Sequence, residues 1–172
     1  MANLSVNICG VSFKNPVIAA SGTYGFGREF NELYDIGKIG GVSTKGLTNE
    51  PRLGNPVPRI AESRGVILNA VGLQNPGVEH VIAHELPRLK SHYNGCIVAN
   101  VSGFSVQDYV ETCALLDKEP IDILEVNISC PNVHNGGMAF GTIPEAAAEV
   151  TAAVKAVTTK PVYMKLSPNV TD

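Results

Sequence analysis

The chain has 172 residues, a formal net charge of -3 and 44% hydrophobic content, enough apolar material for one packed domain spanning residues 1–172. No basic block is present, which argues against a nucleic-acid surface. No stretch of eighteen apolar residues occurs, so no membrane span is expected, and the opening MANLSVNICG lacks a charged-then-apolar leader; the reading is a cytoplasmic protein.

Taken in order, LSVNICGVSFKNPV alternates and turns at Gly10, which predicts a short hairpin. PVIAASGTYG is a small buried strand ending at Ser21-Gly22, and Arg28 to Ile36 reads as a helix. GGVSTKGL is a second strand ending at Thr44-Lys45-Gly46. A Pro/Gly-rich insertion from Thr48 to Gly65 follows, of a length usually reserved for lids or binding loops. VILNAVGLQNPG leads into a helix from Gly77 to His92, and CIVANVSG is the third strand, with Asn100 near its end. Ser105 with Asp108 predicts a capping box for a helix reaching Lys118. IDILEVNISCPN is the fourth strand, Thr142 with Glu145 is read as the cap of the helix AAAEVTAAVKAV, and PVYMKLSPN is the fifth strand, with Lys165 near its end.

Strands alternating with helices predict an α/β fold with a parallel sheet. Every predicted strand finishes on a polar residue: Ser21, Lys45, Asn100, Asn127 and Lys165. That recurrence favours a TIM (β/α)8 barrel, in which the active site collects residues from several strand ends. A doubly wound sheet is the alternative, weakened because no G-x-G-x-x-G follows the first strand. A closed barrel takes about 250 residues, so the chain is expected to be the N-terminal part of one, covering about the first five strands with the C-terminal strands absent.

The stretch Ile121 to Asn132 organises the rest. Ile121, Ile123, Leu124, Val126 and Ile128 make an apolar run of strand length, and Asn127, Ser129, Cys130 and Asn132 follow at its carboxyl end. Glu125, Asn127 and Ser129 share one face; a carboxylate and an amide fit poorly against packed helices, so that face is assigned to the barrel interior. Cys130 is the candidate base or nucleophile, active as a thiolate that nearby cations such as Lys45 and Lys165 would favour; a buried, inert thiol is the competing reading. Cys9, Cys96 and Cys113 read as space-filling, and no C-x-x-C pair occurs. Each lysine could bind phosphate, form a Schiff base or stabilise an anionic ring, or simply reach solvent. Asn69, Asn100, Asn127 and Asn132 offer donors and acceptors suited to a flat heterocycle; turn formation is the competing role, and it fits Asn132 and Asn75 best. His80 and His84 lie one helical turn apart but lack a third ligand, so no metal site is assigned.

The motifs NPVIAASGTYGFG, STKGLT, ILNAVGLQNPG, EVNISCPN and KLSPN, in this order and at this spacing, resemble class 1 dihydroorotate dehydrogenases. The resemblance is greatest to the catalytic subunit of the bacterial NAD-linked class 1B form. It implies an FMN-binding TIM barrel that oxidises (S)-dihydroorotate to orotate in pyrimidine synthesis. Cys130 would then take the C5 proton while hydride leaves C6 for flavin N5. Ala20, Ser21, Lys45, Gly46, Asn100, Asn127 and Lys165 match flavin positions. Lys45, Asn69, Ala70, Val71, Gly72, Leu73, Asn127 and Asn132 match positions around the substrate. The implied partners are a second copy of the chain and a subunit carrying FAD and a [2Fe–2S] cluster, giving a heterotetramer. The family's phosphate-binding loops are expected beyond residue 172. Two other classes stay open on residues alone: a Schiff-base aldolase using Lys45 or Lys165, and a half-barrel that only packs against a partner.

Overall fold

A computed structural model describes residues 2–129 and 140–167 of the chain. Strands β1 (Val6–Ile8) and β2 (Val11–Phe13) form the N-terminal hairpin, in register Val6 with Phe13 and Ile8 with Val11. Its two-residue turn holds Cys9 at φ 51° and Gly10 at φ 83°, the pair of left-handed conformations that a tight hairpin turn demands. The expected turn at Gly10 is therefore present.

The main sheet has five parallel strands: β3 (Ile18–Ala19), β4 (Gly41–Ser43), β7 (Cys96–Val101), β8 (Ile123–Asn127) and β9 (Val162–Lys165). Each pairs with its neighbour in chain order. A doubly wound sheet reverses its order at a switch point; none occurs among these strands, and the arrangement is that of the first five strands of a TIM barrel. Helices α4 (Val106–Leu116) and α5 (Pro144–Lys155) pack on the outer face, where Ile97, Ala99, Val101, Leu124 and Val126 join Tyr109, Cys113, Leu116, Val150 and Val154 in the larger core. The inner face carries a second, smaller core of Phe13, Cys96, Val98 and Ile123, with Val6, Val11 and Tyr163 against it. The N-terminal hairpin thus plugs the amino-terminal end of the barrel.

Three local expectations are corrected. The helix read over Arg28 to Ile36 is shorter: α1 covers Arg28–Asn31, and a separate 3-10 turn spans Ile36–Lys38. Asp35 starts that turn by accepting from the Gly37 N–H at 2.8 Å, a local side-chain bond that competes with continued helix. The predicted cap at Thr142 is not used. Ile143 occupies the extended N-cap position of α5 with no side-chain bond, and Pro144 opens the helix, where its missing N–H costs nothing. The third concerns the insertion, which is not wholly irregular: β5 (Ile60–Ser63) and β6 (Val66–Asn69) form an antiparallel hairpin.

The remaining helices follow the sequence reading. Ser105 and Asp108 form the predicted capping box, with the Asp108 N–H donating to Ser105 Oγ at 3.1 Å and Asp108 Oδ2 accepting from the Ser105 N–H at 3.1 Å. The helix expected over Gly77 to His92 runs as α2 (Val78–His80), a π-helical turn Val81–Glu85, and α3 (Leu86–His92). Pro87 explains the widened turn: a proline crowds the carbonyl four residues back, here that of Ala83. No helix among the described residues is long and apolar enough to cross a membrane.

Candidate active site

Parallel register decides which side chains meet. Asn100 lies directly beside Glu125, and Glu125 beside Tyr163; one step further toward the carboxyl end, Asn127 lies beside Lys165. Paired residues of neighbouring strands point the same way, so Asn100, Glu125 and Tyr163 form one inward layer, with Asn127 and Lys165 above it. The expectation that Glu125 and Asn127 face inward is met. Asn100 is fully buried and donates through Nδ2 to Glu125 Oε1, which also accepts from Ser43 Oγ at 3.4 Å. Backbone holds the same residue, because the Asn100 N–H donates to Thr44 Oγ1 at 3.2 Å. Its amide oxygen is one of three buried side-chain oxygens without a partner among the described residues.

Gly46 sits against that oxygen. A Cβ at position 46 would lie 2.8 Å from Asn100 Oδ1 and 3.0 Å from Ser102 Oγ, so only glycine lets backbone pass there. Ser102 Oγ accepts from Asn127 Nδ2 at 3.4 Å, and Asn127 Oδ1 takes bonds from Ser129 Oγ at 2.8 Å and the Ser129 N–H at 3.2 Å. The Asn127 carbonyl is anchored from the helix layer by Tyr109 OH at 3.0 Å. Lys45 is half-buried, its N–H donating to the Gly25 carbonyl at 3.0 Å, and Lys165 is exposed at the end of β9. Ser21 is half-buried one residue after exposed Ala20, whose carbonyl accepts from Thr23 Oγ1 at 2.8 Å. The predicted flavin-facing residues Asn100, Gly46, Asn127 and Lys165 thus gather at one end of the sheet. Cys130 and Asn132 lie outside the described residues; Ser129, the residue before Cys130, is at this same end.

The predicted substrate segment is placed differently. Asn69 ends β6 and is exposed with Ala70, while Val71, Gly72 and Leu73 are half-buried. Gly72 and Leu73 both take positive φ, 75° and 55°; for leucine this is strained, and such strain collects at ligand-binding loops. Polar bonds hold the segment. The Asn55 N–H donates to the Val71 carbonyl at 3.0 Å, Asn55 Nδ2 to the Ala70 carbonyl at 2.8 Å, and Arg59 Nη2 to Gln74 Oε1 at 2.7 Å.

Asn75 is the residue that sequence reasoning undervalued. It is 5% exposed, and Nδ2 donates to Thr48 Oγ1 at 2.8 Å and to the Leu73 carbonyl at 2.7 Å. Its Oδ1 accepts from the N–H groups of Thr48 at 3.2 Å and Gly77 at 2.9 Å. The amide therefore ties the loop after β4 to the strained segment and to the start of α2. Its signal in the sequence was the Asn-Pro-Gly run, which reads equally well as an ordinary turn.

Thiol environments differ sharply. Burial first, then the nearby Asp122 carboxyl, pushes the Cys96 thiol up to about 12, and burial pushes Cys113 up to about 12; both stay protonated and inert at neutral pH. Among the described residues no group of three metal-ligating side chains occurs. Two open cavities of about 480 and 270 Å³ lie at the opposite, amino-terminal end, both lined by Lys14, Lys90 and Asn94, and neither is lined by Gly46, Asn100, Asn127 or Lys165.

The strand ends of this α/β barrel bring together carboxamides, hydroxyls and ammonium groups at the carboxyl face, where barrels of this kind place their active sites. Comparison with known proteins narrows the class. The chain matches the sequence profile of the family described as dihydroorotate dehydrogenase over residues 3–172, and it belongs to that family. It is 54% identical to the dihydroorotate dehydrogenase B (NAD(+)) catalytic subunit of Listeria welshimeri, covering all of this chain and 57% of the relative. The proteins of the same name from Geobacillus sp. and Anoxybacillus flavithermus are 53% and 54% identical, with 55% of each covered. The chain thus spans little more than half the length of these curated relatives. A crystal structure of ligand-free dihydroorotate dehydrogenase from Eimeria tenella superposes with a TM-score of 0.78 at 22% identity, over 99% of this chain and 56% of that one, and supports the fold.

Proposed function

We propose that this chain forms the ring-binding part of an FMN-dependent enzyme that oxidises (S)-dihydroorotate to orotate. The observation that carries the proposal is the buried, unpartnered Asn100 Oδ1 beside Gly46, at the strand ends that also carry Asn127 and Lys165. A buried acceptor without a donor is costly, and a flat heterocycle with an N–H edge removes that cost. The residues present fit a flavin ring: Gly46 lets bare backbone lie against the Asn100 amide, Asn100 offers an acceptor, and Lys45 and Lys165 offer cations to carbonyl edges. FMN, when bound, supplies the two-electron acceptor that protein side chains lack.

Each residue then has a task. Lys165, beside Asn127 on the inner face, stabilises negative charge that develops on the ring edge. Lys45, half-buried just past β4, serves both ring and substrate in this reading. Asn127 and Asn132 orient the substrate's polar edge, with Asn127 held in turn by Ser102, Ser129 and Tyr109. Segment Asn69 to Leu73 offers backbone groups to the substrate, and Ala20 and Ser21 line the flavin side. Cys130, the residue after Ser129 in the sequence, takes the C5 proton.

Electrons would leave through a partner subunit carrying FAD and a [2Fe–2S] cluster and reach NAD. The name catalytic subunit, borne by the relatives, supports such a division of labour. The working assembly proposed is a heterotetramer built on a dimer of this chain, in the cytoplasm. The test is anaerobic mixing of dihydroorotate with the FMN-loaded full-length polypeptide that carries this sequence. Cys130→Ala should retain FMN but slow bleaching of the visible flavin bands by about 10²-fold or more, the usual worth of a positioned base. Bleaching at the normal rate in Cys130→Ala would overturn the base assignment.

A further inference from the structure

We infer that Glu125 is a positioning residue that fixes the polarity of Asn100, forcing its carboxamide to present oxygen, not nitrogen, to the bound ring. The inference rests on the flavin reading above and adds a residue to it. An asparagine amide has two nearly isosteric ends, one donating and one accepting. Nothing in the Asn100 backbone, held by Thr44, selects between them. Glu125 does. It is the register partner of Asn100 on β8, so both side chains leave the sheet on the same face at the same level. A carboxylate only accepts, and Oε1 takes the Asn100 Nδ2 donor together with the Ser43 hydroxyl. The amide nitrogen is thereby committed to Glu125, and the oxygen must face the other way, toward Gly46, where it is buried and unpartnered.

The neighbours keep this choice from being undone. Tyr163, on the other side of Glu125, is at the same level, but its hydroxyl is turned toward Cys9 and Cys96 at the amino-terminal plug. No cation pairs with Glu125 among the described residues, so no charged donor draws the carboxylate away from Asn100. The consequence is chemical selectivity. An acceptor at this point favours a ring that offers an N–H, as the imide edge of an isoalloxazine does, and disfavours one alkylated there.

The pair can be tested by exchanging its two ends in the full-length polypeptide. Asn100→Asp alone sets two carboxyl groups against each other, and FMN affinity measured by fluorescence quenching should fall by tenfold or more, about one lost hydrogen bond to a charged group. Adding Glu125→Gln to that variant lets the glutamine nitrogen donate to the introduced carboxylate, whose second oxygen again faces Gly46; affinity should return to within a few-fold of the parent. FMN methylated at N3 should bind the parent at least tenfold more weakly than FMN. A separate arm needs no flavin: the Asn100 side-chain amide of the unliganded protein should give one protected NMR pair, and Glu125→Gln alone should split it into two. Equal FMN affinity in the single and double variants, or equal affinity for the N3-methylated flavin, would overturn the inference. Should the parent bind no FMN, the flavin reading fails, and an Asn100 amide pair unchanged by Glu125→Gln then also removes the positioning role.

Discussion

The inward face of this sheet has two ends built on opposite principles. At the amino-terminal end Phe13, Cys96, Val98 and Ile123 close on one another without a polar contact among their side chains. At the carboxyl end, on the same strands and the same face, Asn100, Glu125 and Asn127 are held by hydrogen bonds, and one buried acceptor is left over. Moving along β7 from Val98 to Asn100, a single step of two residues, crosses from one regime to the other. The lesson is that the strands need not trade stability against function residue by residue. The hairpin β1–β2 plugs one end with apolar surface, which lets the other end keep polar groups in want of a ligand.

Variants at the two ends should therefore behave differently. The largest effect is expected for Phe13→Ala, which removes a side chain 1% exposed from the apolar plug. Loss of about 3–5 kcal/mol in denaturant unfolding is expected, while FMN affinity of the molecules that remain folded should be unchanged. A parallel loss of flavin affinity in the folded fraction would mean that the two ends are coupled and the comparison fails.

Asn75→Ala comes next. It strands the Leu73 carbonyl and the N–H groups of Thr48 and Gly77, and takes one of two partners from the Thr48 hydroxyl. Loss of about 2–3 kcal/mol is expected from buried groups left unpaired, together with weaker orotate binding at nearly unchanged FMN affinity, read by titrating each ligand separately. Unchanged orotate affinity would show that the strained turn at Gly72-Leu73 does not depend on this amide.

The smallest effect concerns thiols, and it sharpens the comparison without altering the protein. Cys96 and Cys113 stay protonated because burial raises them to about 12, so near pH 8 only a minute fraction is thiolate. Cys9, exposed in the hairpin turn, should be the one of these three that an alkylating reagent modifies in the native state, followed by mass mapping. Modification of Cys96 at a rate like that of Cys9 would show that the apolar plug opens readily.

Much of this was legible in the sequence. The five strands and their parallel order follow from apolar runs of strand length; Asn127 and Lys165 close β8 and β9 as read, whereas β3 stops at Ala19 and β4 at Ser43, two residues short of Ser21 and Lys45, and β7 runs one residue past Asn100 to Val101. Glu125 could be assigned to the interior because a carboxylate has no place between a sheet and its helices. The pairing of Asn100 with Glu125 could not be read, because register between strands depends on how the whole sheet twists and staggers. Thr142 misled because a capping signature and a proline compete for the same helix start, and Pro144 decides it two residues later. Arg28 to Ile36 misled because Asp35 offers the backbone a local bond that periodicity does not register. The hairpin of β5 and β6 was hidden because Pro and Gly around it read as loop, and its apolar residues contribute little to the core: Ile60, Ile67 and Leu68 are all more than half exposed.

The most direct test of the central claim is an FMN titration of the full-length polypeptide carrying this sequence, followed by dihydroorotate without oxygen. The account predicts tight binding, bleaching of the bound flavin by dihydroorotate, and loss of both when Asn100 and Lys165 are replaced together by leucine and methionine. Flavin that binds and bleaches as well in that double variant would contradict it.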